Sequence, residues 1–157
     1  MNRLARWLKR VRTSSDAAKP AGEDLRFQMT NLTRRTRIAS SVEVADSGAK
    51  RSKGLLGRTG LAPGEAIWIV PCESVHTFGM KFAIDLIYLD RQLRIRKIRS
   101  DVRPWRISGC LTAHSVVELA SGSIRTVDAQ VGDLVEFSRS DTGAEDSGSV
   151  HSQENLD

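Results

Sequence analysis

Several of the features that usually settle a function are scarce in this chain. It has two cysteines, four prolines and 5% aromatic residues. Its longest purely apolar run, residues 66–70, is far short of the roughly 20 residues that span a bilayer, so no transmembrane helix is expected. A basic start is not followed by the ~7–15 apolar residues of a secretory signal before the polar run Arg12, Thr13, Ser14, Ser15, Asp16. Export by that route is therefore not expected, although an Arg-rich, acid-poor start leaves an organellar address open. Cys72 and Cys110 lack the spacing of a disulfide framework, which points to reduced thiols and a cytoplasmic setting.

What is present suits one globular domain: 157 residues, 39% apolar and 27% charged. Charge is uneven. Residues 1–20 hold six basic and one acidic side chain, whereas residues 139–157 hold one basic and five acidic. Leu4, Trp7, Leu8 and Val11 recur at helical spacing among arginines, but so short a helix needs a surface to pack on. Residues 13–24 and 139–157 have too little apolar surface to offset the entropy of ordering. The expected organisation is a flexible basic tail and linker over 1–24, a single mainly-β domain over 25–138, and a disordered acidic tail over 139–157.

Within the domain, strands are expected at residues 36–44, 66–70, 81–89, 93–98, 115–119 and 133–137, from β-branched and alternating apolar positions. Asp46 or Ser47 caps a two-turn helix that Gly57 would stop. Ile98 breaks the parity set by Leu93 and Ile95, which implies a bulge near Arg96 and Lys97. The expected fold class is mainly β, a compact antiparallel barrel- or sandwich-like sheet with one or two short helices.

Five pieces in fixed order carry a resemblance: residues 50–58 (KRSKGLLGR), Phe78-Gly79-Met80, Ile84-Asp85 with Leu89-Asp90, residues 117–122 (VELASG), and Val131-Gly132-Asp133. Together they resemble the domain-of-unknown-function family 192 over roughly residues 36–138. The resemblance implies a small mainly-β fold with a short helix and no established reaction or cofactor. Two positions depart from the family's commoner form, Gly79 in place of a tryptophan and Arg91-Gln92 in place of a glycine-containing turn.

The loop at residues 71–80, between two apolar strands, gathers the candidate ligand-binding groups Cys72, His76, Thr77 and Met80, with Asp85 just beyond. Cys72, His76 and Met80 are the ligand types of a soft-metal site, which would need His114 to complete it, and no metal or cofactor is assigned. Cys72, His76 and Asp85 could alternatively serve as nucleophile, base and orienting acid of a hydrolase. Asp85, inside an apolar strand, must find hydrogen-bond partners, and Glu118 in another apolar run poses the same question. A basic cluster that includes Arg94, Arg96, Arg99 and Arg103, with Trp105 among the cations, suits an anionic ligand or a protein partner, and a nucleic acid is not excluded. The same charges would equally protect an edge strand from aggregation. The leading expectation is a small, non-catalytic ligand- or partner-binding domain. Its rivals are the hydrolase and an adaptor that meets nucleic acid or a membrane surface through its basic segments.

Overall fold

The computed structural model describes residues 26–139. The expected tail and linker over 1–24 and nearly all of the expected acidic tail lie outside the described residues. Nine strands and two short helices follow in the order β1 (Arg26–Asn31), β2 (Thr36–Ala45), α1 (Gly48–Lys53), β3 (Glu65–Ile69), β4 (Ser74–His76), β5 (Ile84–Leu89), β6 (Ile95–Val102), β7 (Ile107–Gly109), β8 (Ser115–Ala120), α2 (Ser123–Val127) and β9 (Val135–Arg139). Seven form one sheet in the order β6-β5-β8-β3-β2-β1-β9, and β4 pairs with β7 in a separate ribbon. The fold is mainly β. Among the described residues no helix is long and apolar enough to cross a membrane.

Side-chain alternation gives the large sheet two apolar faces. Trp68, Ile87, Val117 and Leu119 share an inner core with Phe27, Met29, Val42 and Phe137. Ile67, Ile69, Leu86, Tyr88 and Val116 form an outer core with Leu55 and Met80, against which Cys72, Val75 and Cys110 also pack. Strand β5, with all six residues buried, is covered on both faces. The sheet curls around the inner core: Trp68 of β3 stacks on Phe137 of the edge strand β9, with centroids 3.9 Å apart and planes 5° apart. At one end its edges are joined by a single Arg94–Leu134 bridge. The Ile95 amide donates to the Asp133 carbonyl there, at 2.9 Å. The Gly132 amide donates to the Ile95 carbonyl at 2.8 Å and the Val135 amide to the Leu93 carbonyl at 3.0 Å, but among the described residues no strand ladder closes the sheet into a barrel.

One pairing is parallel within the otherwise antiparallel sheet. Strands β2 and β3 are parallel, from Ser41–Glu65 to Ala45–Ile69. A parallel return needs a crossover of about a dozen residues or more, and the segment containing α1 supplies it. The Ser47 hydroxyl accepts from the Lys50 amide, but the helix ends at Gly54 (φ 43°), one turn before Gly57. Strand β1 was not anticipated, because polar Gln28, Thr30 and Asn31 dilute its apolar pattern. Asn31 is nevertheless buried, and its Nδ2 donates to Asp133 at 2.8 Å. The bulge falls where parity breaks, since Tyr88 faces Lys97 and Leu89 faces Ile95, leaving Arg96 as the extra residue.

Gly64 closes the crossover. Its carbonyl accepts from the Ser40 and Ser41 amides, its φ is 83°, and an added Cβ would lie 2.7 Å from the Ser40 hydroxyl. Gly64→Ala is expected to destabilise by about 1–3 kcal/mol through strain and crowding together. Urea unfolding checks this, and a change of a few tenths of a kcal/mol would contradict the described turn.

Candidate functional site

Strand β3 ends on the outer face at Ile69, and the Cys72 amide then donates to the His114 carbonyl at 2.9 Å, which holds residues 71–76 beside the sheet. The chain runs on as β4, antiparallel to β7 from Ser74–Gly109 to His76–Ile107. The end of α1 and the turn after it, residues 51–56, line the same space as β4. Between the two walls lies a cleft of about 260 Å³ whose floor includes Ile69, Met80 and Glu118.

Glu118 stands at the centre of β8, paired with Ile67 of β3 on one side and Leu86 of β5 on the other. All three belong to the outer face, so the carboxyl emerges among aliphatic side chains, 4% exposed. Its Oε2 has no hydrogen-bond partner. Burial pushes the carboxyl up from 4.5 to about 7, opposed only partly by the Arg58 guanidinium, which is itself paired with Glu43 at 2.7 Å. A buried polar atom without a partner is costly and rare in a folded chain. Among the described residues Glu118 is also the only acid that lines the cleft, whose rim carries Arg51 and Lys53.

The expected site residues divide between the two faces of the sheet. Cys72, His76 and Met80 line the cleft. Thr77 does not: it is buried, its hydroxyl donates to the Arg103 carbonyl at 2.8 Å and accepts from the Arg106 amide at 2.9 Å, and it pins the loop that carries Trp105. Asp85 pairs in register with Leu119 and so belongs to the inner face. Its two carboxylate oxygens accept from the Asp101 amide at 2.9 Å and the Ile124 amide at 3.0 Å. The Cys72, His76 and Asp85 trio is therefore split across the sheet. Burial also pushes the Cys72 thiol up, away from the thiolate, and its Sγ donates to the Ser74 carbonyl at 3.0 Å. Among the described residues no three His, Cys, Asp or Glu side chains gather as a metal-binding group. His114 meets Cys72 through its carbonyl and is not part of the cleft lining.

The basic residues spread along and beyond the edge strand β6. Arg94 donates to the Gly132 carbonyl at 2.7 Å, Arg96 lies 4.0 Å from Asp90, and Arg103 lies 3.9 Å from Asp101. Arg99 is exposed and has no ion pair among the described residues. Trp105 is 65% exposed, and its ring leans on Phe78 at 5.8 Å, which in turn stacks on His76 at 5.0 Å. Charges in this arrangement blunt an exposed strand edge.

Glu118 is the site residue that the sequence reading left out of its candidate set. The signal for it was a carboxylate inside the apolar run at residues 116–119, the same signal that marked Asp85.

The family model described as "Uncharacterized ACR, COG1430", DUF192, matches residues 29–137. A UPF0127 protein of Thermococcus gammatolerans is 35% identical over 102 residues, covering 61% of this chain and 65% of that protein, so the chain spans slightly less than two thirds of that relative. A UPF0127 protein of Pyrococcus furiosus is 32% identical over 117 residues, covering 71% of this chain and 98% of its own length. A crystal structure from Sinorhizobium meliloti, of a protein described as a presumed transcription regulator, superposes with a TM-score of 0.64 at 20% identity, over 76% of this chain and 98% of that one. A protein of unknown function from Novosphingobium aromaticivorans gives 0.62 at 20% identity, over 79% and 94%. At such identity these two structures establish likeness of fold alone.

Proposed function

The chain belongs to the uncharacterised DUF192 family, and from that premise we propose that it is a non-catalytic binding domain whose α1–β4 cleft receives a hydrogen-bond donor against Glu118. The observation that carries this reading is the unpartnered, buried Oε2 of Glu118 at the cleft floor. A donor brought by a ligand removes the penalty of leaving that oxygen unpaired, and a cationic donor does so most strongly. At about 260 Å³ the cleft is smaller than the roughly 300–1,000 Å³ typical of cofactor and drug-sized pockets. It suits one group the size of a side chain. Binding rather than turnover is supported by the protonated Cys72 thiol and by the place of Asp85 on the other face of the sheet.

Butylammonium is a sufficient probe. Titrated by NMR above pH 7, where Glu118 is largely ionised, it is expected to shift resonances of Glu118, Gly54 and Cys72, and Glu118→Gln is expected to weaken binding by about tenfold or more. Uncharged butanol is expected to bind more weakly than butylammonium. Equal binding of butylammonium by the wild type and Glu118→Gln, or no binding at all, would remove the reading.

A further inference from the structure

The wall of the cleft opposite α1 is a strand with one edge that pairs with no other strand among the described residues. The Cys110 amide donates to the Glu73 carbonyl and the Thr77 amide to the Arg106 carbonyl, both at 2.9 Å. In an antiparallel pair the residues that bond to the partner strand alternate. Glu73, Val75 and Thr77 therefore turn their backbone groups toward β7, and Ser74 and His76 turn theirs the other way. That side is the cleft side, because the Ser74 carbonyl accepts from the Cys72 thiol, and Ser74, Val75 and His76 all line the cavity. Ser74 and His76 are exposed. The β4 edge and the unpartnered carboxyl of Glu118 consequently face one space.

We infer that this space receives an extended polypeptide segment of a partner protein, added as a strand along β4, with a lysine side chain reaching down to Glu118. The inference rests on the reading of the cleft as a binding site and names its occupant. Main-chain bonds to Ser74 and His76 provide affinity that any extended chain can use, and the pocket for one side chain provides selectivity. A single lysine is the cation that suits the cleft, since a long aliphatic stem can lie on Ile69 and Met80 while the ammonium meets Glu118. Across the segment, Lys53 lines the cleft, and Arg51, whose Nη1 donates to the Asp46 carbonyl at 2.8 Å, stands beside it. The cavity, at about 260 Å³, has room for one such side chain.

The test uses the full chain and the capped peptide Ac-Ser-Val-Lys-Val-Ser-NH2, followed by NMR and amide exchange. It is compared with the norleucine analogue, a backbone N-methylated analogue and butylammonium. The expected result is binding about tenfold or more tighter than butylammonium, slowed exchange at Ser74 and His76, and about tenfold losses for each analogue. If butylammonium binds but the peptide gains nothing over it, or the Ser74 and His76 amides do not respond, the peptide inference falls while the cleft reading stands. If neither probe binds, both fall. Amides of Ser74 and His76 already protected in the peptide-free protein would assign the edge to a second copy or to this chain's own N-terminal segment, and would overturn the proposal.

Discussion

Replacing Asp85 with alanine is expected to destabilise the protein by ~3 kcal/mol or more. The carboxylate accepts from the Asp101 amide, near the end of β6, and from the Ile124 amide in α2, and it is wholly buried. Two elements distant in sequence are thus held to the inner face through one side chain. Its removal strands the buried Ile124 N–H, with a desolvation penalty of roughly 1–3 kcal/mol, and the part-buried Asp101 N–H, with a smaller one, in addition to the lost bonds. Asp90→Ala is the internal comparison. Asp90 also accepts from two amides, Gln92 at 2.9 Å and Arg94 at 3.0 Å, but in a turn where water can replace it. Its loss should be well under half as large. Urea unfolding of both variants checks the contrast, and equal small losses would contradict the burial assigned to Asp85.

Glu118 is expected to make stability fall as pH rises. Its carboxyl is held up from 4.5 to about 7 by burial. Below 4.5 it is neutral in both the folded and the unfolded chain, and its favourable contribution is fully present. Between 4.5 and about 7 the unfolded chain releases the proton while the folded chain keeps it, so stability declines, and above about 7 the decline levels off. At roughly 1.4 kcal/mol per pH unit the total is on the order of 3 kcal/mol. The measurement is the difference between the wild type and Glu118→Gln in unfolding free energy across pH 4–8, which cancels the other titrating groups. Glu118→Gln should gain on the wild type through that window. A flat difference would mean that water or a neighbouring group solvates the carboxyl, and would also weaken the case for a ligand there. A bound cation is expected to reverse the slope, because ionised Glu118 then has a partner.

Much of the fold is legible along the sequence because its causes are local. Thr36 to Val44, Phe82 to Leu89 and Val116 to Leu119 carry the period-2 pattern of strands that bury one or both faces. Ser47 can cap only the helix that follows it. Ile98 breaks parity, and the bulge falls at Arg96. Other elements depend on partners. Strand β1 escapes notice because Asn31 looks like a surface residue until Asp133, 102 positions away, receives its amide. The parallel return of β3 beside β2 depends on where the crossover lays the chain down, which no periodicity expresses.

The candidate site shows the same division most sharply. From sequence alone, Asp85 and Glu118 are equivalent: each is a carboxylate in an apolar strand, and the desolvation of charge requires each to find a partner or to stay protonated. That requirement is determined by the sequence. Only the tertiary structure decides how each meets it. Strand β5 lies beside β8 with Asp85 opposite Leu119 and Leu86 opposite Glu118, and that register sends the two carboxyls to opposite faces of the sheet. On the inner face two backbone amides close on Asp85, whereas on the outer face the cleft between α1 and β4 leaves Glu118 with an oxygen unpaired. Because successive side chains of a strand alternate, a pairing shifted by one residue would have set Asp85 opposite Glu118 and sent both carboxyls to the same face, and the pairing is set by contacts between distant segments rather than by either strand alone.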